Sequence, residues 1–354
     1  MARFSIKDFS DSEVDYYSRQ IMLKNMGFDA QRKLKGATVC IVGVGGLGSP
    51  VVIQLASMGI GTIRLIDNDI VEMSNLQRQH LYGVAQVGLP KVEAAAQRLR
   101  GLNPFIEIDL LPMMVTPHNA EELIRGSDVV IGSLDMMAPR YSLNRACQKL
   151  GIPFIHGAAL AYNGGVSTIL PGKTACLECF QGGVDDAEMP TCATVGVHPA
   201  ILGIVGSLVV TETVSIIIGQ EPNLANKLMF LDLEDYSFET IDLRKAENCP
   251  VCGETDKTPE PIAYDPVTEV CGREGRRVFI FNPDQRMDLT LSDVNSMLES
   301  MEFKILVKGE LGSTFEGSDG VKGSILKTGI MILEGFKERD QAVNTHERLF
   351  STID

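Results

Sequence analysis

The chain has 354 residues and no tryptophan, and only 6% of its residues are aromatic; neither shortage selects a function class. It also lacks a basic surplus. Lys and Arg number 32 against 46 Asp and Glu, a formal net charge of -14. Free nucleic-acid binders carry a cationic stripe or patch, so nucleic acid is not an expected partner. The first residues, "MARFSIKDFSDSEVDYYSRQ", are mixed and charged and contain no apolar leader core, so a cytoplasmic location is expected. No uninterrupted membrane-length run occurs. The most apolar stretch, 201–219, is broken by Glu212 and several hydroxyls and reads as a buried core helix, and no membrane contact is expected. Internal repeats and low-complexity tracts are absent too. What remains is an ordinary globular composition, 44% hydrophobic and 22% charged, long enough for one large domain or two.

Eight cysteines without a leader do not suggest a disulfide framework. Four of them form two Cys-x-x-Cys pairs, Cys176/Cys179 and Cys249/Cys252. Two such pairs can supply a tetrahedral four-thiolate set suited to structural zinc, here tying remote segments together. Unrelated buried thiols or a single redox pair are the alternatives.

Segments of strand and helix character alternate along the first 170 residues. That pattern predicts a doubly wound, Rossmann-like α/β sheet. Residues 15–35 read as helical. The motif Gly43-Val44-Gly45-Gly46-Leu47-Gly48 follows an apolar strand, and Asp67 ends the next one. Glycines with an acidic residue about 20 positions on fit a nicotinamide dinucleotide. The following stretch does not need to be there for such a cofactor. It carries Asn75, Arg78, Gln79 and Lys91, an amide-and-cation set suited to screening a triphosphate. Asp135 ends a later strand and can hold Mg²⁺ against those phosphates.

Two motifs are decoys. "PGKT" at 171–174 lacks the first glycine of a phosphate loop, since Ser167 stands there, and no helix pattern follows it. "CGREGRR" at 271–277 precedes a strand instead of linking strand to helix, and reads as linker with an ordinary cysteine. The first domain is expected to span 1–253, with a Pro- and Thr-rich linker at 254–270 and a small α+β domain of unknown role at 271–354.

From "YYSRQI" to "CPVCG" the sequence resembles the ThiF/MoeB/E1-like adenylyltransferases, which activate ubiquitin-like sulfur carriers. The resemblance implies ATP on the glycine turn (Gly43, Gly45, Gly46, Gly48), with Asp67 on the ribose. It places Asn75, Arg78 and Lys91 at the phosphates, with Gln79 among the nucleotide-binding residues, Asp135 on Mg²⁺ and zinc on Cys176, Cys179, Cys249 and Cys252. Arg19 matches an arginine that the partner subunit of a homodimer contributes. The implied reaction is adenylation of the C-terminal Gly-Gly carboxylate of a carrier protein, for sulfur transfer or protein conjugation. A sulfurtransferase or cysteine desulfurase is a further candidate partner. A tRNA-modifying (t6A dehydratase-like) relative and a non-catalytic nucleotide-binding module are the alternative readings. Cys192 lies in an acidic, glycine-containing crossover before a helical run, and several relatives have a cysteine in this loop that can take the activated acyl group; an exposed bystander is the other reading. Met136 departs from the family, which usually has Asn after the metal-binding aspartate.

Overall fold

A computed structural model describes residues 8–186, 195–271, 277–283, 285–317 and 320–351. Two sheets organise it. The larger has eight strands in the order β3-β2-β1-β4-β5-β6-β7-β8. They are β1 (Thr38–Val42), β2 (Thr62–Ile66), β3 (Glu107–Leu111), β4 (Val129–Gly132), β5 (Phe154–Leu160), β6 (Asn163–Ile169), β7 (Lys227–Asp232) and β8 (Ser237–Asp242). The first five are parallel and the last three antiparallel.

The central strands β1 and β4 place apolar residues on both faces because both faces are covered. In β1, Val39 and Ile41 join one core and Cys40 and Val42 the other. The first core lies under α3 (Gly48–Met58), α4 (Lys91–Leu102) and α8 (Pro199–Ile218). The second lies under α5 (Ala120–Ile124), α6 (Met137–Leu150) and the short α7 (Leu177–Phe180). The doubly wound expectation therefore holds. Strand order turns back between β1 and β4, which opens a crevice at their carboxyl ends.

The apolar stretch expected to be a core helix is α8, capped by His198 with Pro199 opening its first turn. It packs on α3, β5 and β6. Its one acid is inside the protein and satisfied: Glu212 accepts from Thr168 Oγ1 at 2.6 Å and from the N–H groups of Asn223 and Leu224 at 3.0 and 2.9 Å.

The second sheet is wholly antiparallel, in the order β11-β12-β13-β14-β10-β9. Its strands are β9 (Val267–Cys271), β10 (Arg277–Phe281), β11 (Lys304–Lys308), β12 (Gly312–Glu316), β13 (Lys322–Leu326) and β14 (Met331–Phe336). Helices α9 (Leu291–Ser300) and α10 (Arg339–Phe350) cover one face around Phe279, Phe315 and Leu333. The other face meets the large unit through Leu326, Ile330 and Ile332, which cluster with Ile70 and Met114.

Four local readings need correction. The helix expected over 15–35 is two, α1 (Asp11–Ile21) and α2 (Gly27–Gly36), because Met26 leaves the helical region at φ -102° and ψ -88°. Strands β7 and β8 form where none was expected; β8 is a largely exposed edge strand and β7, next to it, is only partly buried, so both carry a weak apolar signature. Strand β9 occupies the end of the expected linker. Strands β12 and β13 replace expected turns, their Gly and Ser residues being small enough for close packing.

Candidate functional site

The glycine turn lies at the switch-point crevice, between β1 and α3. Its tightness depends on missing side chains. Gly43 has φ +88°, and a Cβ there would lie 2.5 Å from the Ser133 carbonyl oxygen. A Cβ on Gly48 would lie 2.1 Å from the Gly43 carbonyl oxygen, and one on Gly46 2.9 Å from Leu202 Cδ1. The turn thus brings backbone close to β4 and α8 and aims the amino end of α3 into the crevice, where anions are favoured.

Asp67 is fixed across the turn. Its carboxylate accepts from the N–H groups of Val44 and Asp69, at 2.7 and 2.9 Å. Burial pushes this carboxyl up from its ordinary pKa, against the nearby Lys91 ammonium and those two N–H groups. The Tyr82 hydroxyl donates to the Val44 carbonyl at 2.7 Å and locks the turn from below.

The expected phosphate-facing residues form one short 3₁₀ turn (Met73–Asn75) and the segment after it. Asn75 is buried and shapes the turn: its Oδ1 accepts from the Glu72 N–H at 3.1 Å, and its carbonyl from the N–H groups of Arg78 and Gln79. Gln79 is 3% exposed, and its Oε1 has no partner among the described residues. Gln79 Nε2 and Arg78 Cδ each lie 3.7 Å from where a Cβ would stand on Gly45 and Gly46 respectively. Arg78 also donates to the Ser74 carbonyl at 3.0 Å. The structure therefore gathers Asp67, Arg78 and Gln79 at the glycines.

Lys91 is the first residue of α4 and is 6% exposed. Its ammonium pairs with Asp69 at 2.5 Å. Burial alone would pull its pKa down, but Asp69 and Asp67, with a contribution from Asp135, hold it above the usual lysine range. It stays charged at any neutral pH. Asp69, which sequence reading missed, is thus its resident counter-ion. The only sequence signal was a second acid two residues after Asp67.

Asp135 is exposed, three residues beyond β4. The loop that carries it is held by Arg140, which donates from Nε and Nη2 to the Leu134 carbonyl. Met136, at the amino end of α6, offers no capping side chain. Asp186 does so instead, accepting from the N–H groups of Met137 and Ala138, the latter at 2.9 Å. An exposed carboxylate beside a buried ammonium fits a hydrated Mg²⁺, which favours one or two carboxylates plus phosphate oxygens.

Arg19 is not brought to these residues. It is exposed on α1, and its neighbour Tyr17 packs beneath Gly59, the carboxyl-terminal cap of α3. The glycine turn is at the other end of that 11-residue helix, about 16 Å away at 1.5 Å per residue. Cys192 lies outside the described residues.

On the opposite face of the sheet the two cysteine pairs meet. All four Sγ atoms lie within 4.8 Å of one another. Sγ of Cys176 is 3.9 Å from Cys179 and 3.7 Å from Cys249, and Cys179 is 3.4 Å from Cys252. A tetrahedral site with Zn–S bonds of about 2.3 Å needs sulfur separations near 3.8 Å, so this set fits a four-thiolate metal. The alternative of unrelated thiol pairs does not survive that geometry.

Comparison with known proteins agrees with this arrangement. The ThiF family model matches residues 17–251. The chain is 38% identical over 244 residues to the SAMP-activating enzyme E1 of Haloferax volcanii, an alignment covering 69% of this chain and 90% of that protein. It is 35% identical over 251 residues to the sulfur carrier protein ThiS adenylyltransferase of Escherichia coli, covering 71% and 99%. Among solved structures, PaaA superposes with a TM-score of 0.59 at 29% identity, covering 70% of this chain and 78% of that one. With the switch-point crevice, its glycine turn and its cations in place, these matches show that the chain belongs to the ThiF family.

Proposed function

We propose that this protein uses ATP to adenylate the C-terminal carboxylate of a ubiquitin-like sulfur-carrier protein and releases pyrophosphate. One observation carries the reading: a buried Lys91 whose ammonium pairs with Asp69 at 2.5 Å, next to the Asp67 that holds the glycine turn, with Arg78 at Gly46. A nicotinamide site has no use for that charge, whereas a triphosphate approached by a second anion does. The relatives' names, SAMP-activating enzyme and ThiS adenylyltransferase, supply the carrier class.

The reaction is an in-line displacement. A carrier carboxylate oxygen bonds to the α-phosphorus, and the bond from that phosphorus to the bridging oxygen breaks. Pyrophosphate leaves with the electron pair. No general base is required, because a carboxylate is ionised at neutral pH. Asp67 would receive the ribose, and the amino end of α3 the phosphates. Arg78 and Lys91 offset the repulsion between the two anions, Lys91 exchanging Asp69 for a phosphate oxygen. Mg²⁺ held by Asp135 would add further charge screening.

Arg19, remote from its own chain's crevice, suits a homodimer in which it serves the partner's site. The carrier has a fitting surface as well. Edge strand β8 exposes Phe238 and Ile241, beside exposed Phe230 and Tyr236. An open strand edge with apolar side chains can accept an added strand. The metal in the four-cysteine site is zinc, and it is structural, since four thiolates leave no open position. Cys192 is a candidate for covalent capture of the activated carboxyl group.

The test is ATP–pyrophosphate exchange over a panel of carriers ending in Gly-Gly. Label should enter ATP only when a cognate carrier is present. Exchange stimulated by tRNA instead would move the protein to the tRNA-modifying branch, and no exchange with any substrate would leave a binding module.

A further inference from the structure

The residue two positions after Lys91 is bound by a part of the chain more than 200 residues away. Glu93 stands third in α4, where a glutamate ordinarily reaches back to the N–H of the helix's capping residue. Here that residue is Pro90, which has no N–H to give. The Glu93 carboxylate is released for another use. It is 6% exposed and accepts from the backbone N–H groups of Glu310 and Leu311, at 3.1 and 2.8 Å, in the tight turn between β11 and β12.

The fit around this contact is close. A Cβ on Gly309 would lie 2.7 Å from Glu93 Oε2, and one on Gly312 2.9 Å from Pro90 Cγ. Thr314 Oγ1 donates to the Gly88 carbonyl at 2.7 Å. Gly88 itself has φ +91°, and a Cβ there would meet Val307 Cγ2 at 2.7 Å. On its other side the same strap, residues 88–91, is laced to the loop after β2. The N–H of Gly88 reaches the Val71 carbonyl, that of Val71 the Leu89 carbonyl, and that of Lys91 the Asp69 carbonyl, each at 2.9 Å. The strap that launches Lys91 is thus gripped between the nucleotide loop and the C-terminal sheet.

We infer that the C-terminal sheet is a positioning part of the nucleotide site, fixing the amino end of α4, and with it Lys91, through the carboxylate of Glu93. Glu93 is a positioning residue: its carboxylate is taken up by the Glu310 and Leu311 N–H groups. The inference rests on the ATP-dependent reading above and adds a role for residues 304–316, to which that reading assigns none.

The test uses the full-length protein and binding of a fluorescent ATP analogue alongside carrier-stimulated exchange. Glu93→Gln should raise the analogue's Kd and the KM for ATP roughly tenfold, the scale of one lost charge-assisted contact. The kcat at saturating ATP should fall less than the KM for ATP rises, and the KM for carrier should stay near wild type. Thr314→Val, which removes the second grip without touching α4, should shift the same two quantities in the same direction. In a Lys91→Ala background, Glu93→Gln should add nothing further, because its effect passes through that ammonium. Unchanged ATP affinity in both single variants, or a full additional loss in the Lys91→Ala background, overturns the inference while leaving adenylation intact. A wild-type protein that fails to bind ATP overturns both.

Discussion

The four-cysteine cluster and the glycine-turn crevice lie on the same sheet and are both assembled from remote segments, yet they differ in what they leave open. The cysteines satisfy one another. Every sulfur has another within hydrogen-bonding reach, and the set closes into a tetrahedron. The crevice is held just as firmly but stays unfinished. Gln79 Oε1 is buried without a partner among the described residues, Asp135 faces solvent, and Lys91 keeps its charge on a carboxylate that a phosphate can replace. A closed site serves the fold, and an open one serves chemistry. Damage to the first should appear in melting, and damage to the second in turnover.

The largest effect should come from the most exposed member of the open site. Asp135→Ala should lower carrier-stimulated exchange at least ~10²-fold, the scale of losing one charge-stabilising group, with the melting temperature unchanged. Undiminished exchange would remove Asp135 from any metal-holding role. Arg19→Ala should be nearly as damaging, although it touches nothing in its own crevice. Mixed with Asp135→Ala after subunit exchange, it should recover roughly a quarter of wild-type activity, since half of randomly paired dimers are hybrids with one intact site. No recovery, with hybrids verified, would place Arg19 outside the partner's site.

The closed site should respond in the opposite way. Cys252→Ser, or removal of the metal by a chelator, should lower the melting temperature by about 10 °C, the shift expected for a loss of a few kcal/mol in a domain this size. The KM for ATP measured well below that melting temperature should stay within about twofold. A metal-free protein with unchanged melting would break the contrast between the two sites. The smallest effect should come from the border between them. Asp186→Ala uncaps α6 beside Asp135 and should cost about 1 kcal/mol of stability. Its loss of exchange should be far below that of Asp135→Ala; an equal loss would make Asp186 a second metal-holding carboxylate.

The parts of the molecule legible in the sequence were those whose chemistry is local. A glycine turn after an apolar strand, an acid at the end of the next strand, and paired cysteines each state their geometry within a few residues. Lys91 was legible for the same reason, as the opening of a strong helix. The parts that escaped depend on distance along the chain. Nothing near Glu93 announces that its partners are Glu310 and Leu311, and nothing near Met136 announces that Asp186 will cap its helix. Strands β7 and β8 were missed because a strand at or next to an exposed edge alternates weakly, and β12 and β13 because Gly and Ser mimic turn signals while serving close packing. The role of the C-terminal sheet could not be read at all until its turn was seen against α4.

The cysteine cluster also sets an order of events during synthesis. Each of its two cross-pairs joins residues 73 positions apart, so the cluster closes a loop that contains α8, β7 and β8. The five parallel strands are all made by residue 160, but β5 still awaits β6 and the first core still awaits α8. A four-thiolate set must wait for Cys249 and Cys252. Until the intervening segment is made, Cys176 and Cys179 lack their two partners, and the glycine turn lacks Leu202 of α8 against Gly46. The α8 contact and the thiolate cluster therefore both come late, and the nucleotide crevice and the cluster are completed by the same stretch of chain.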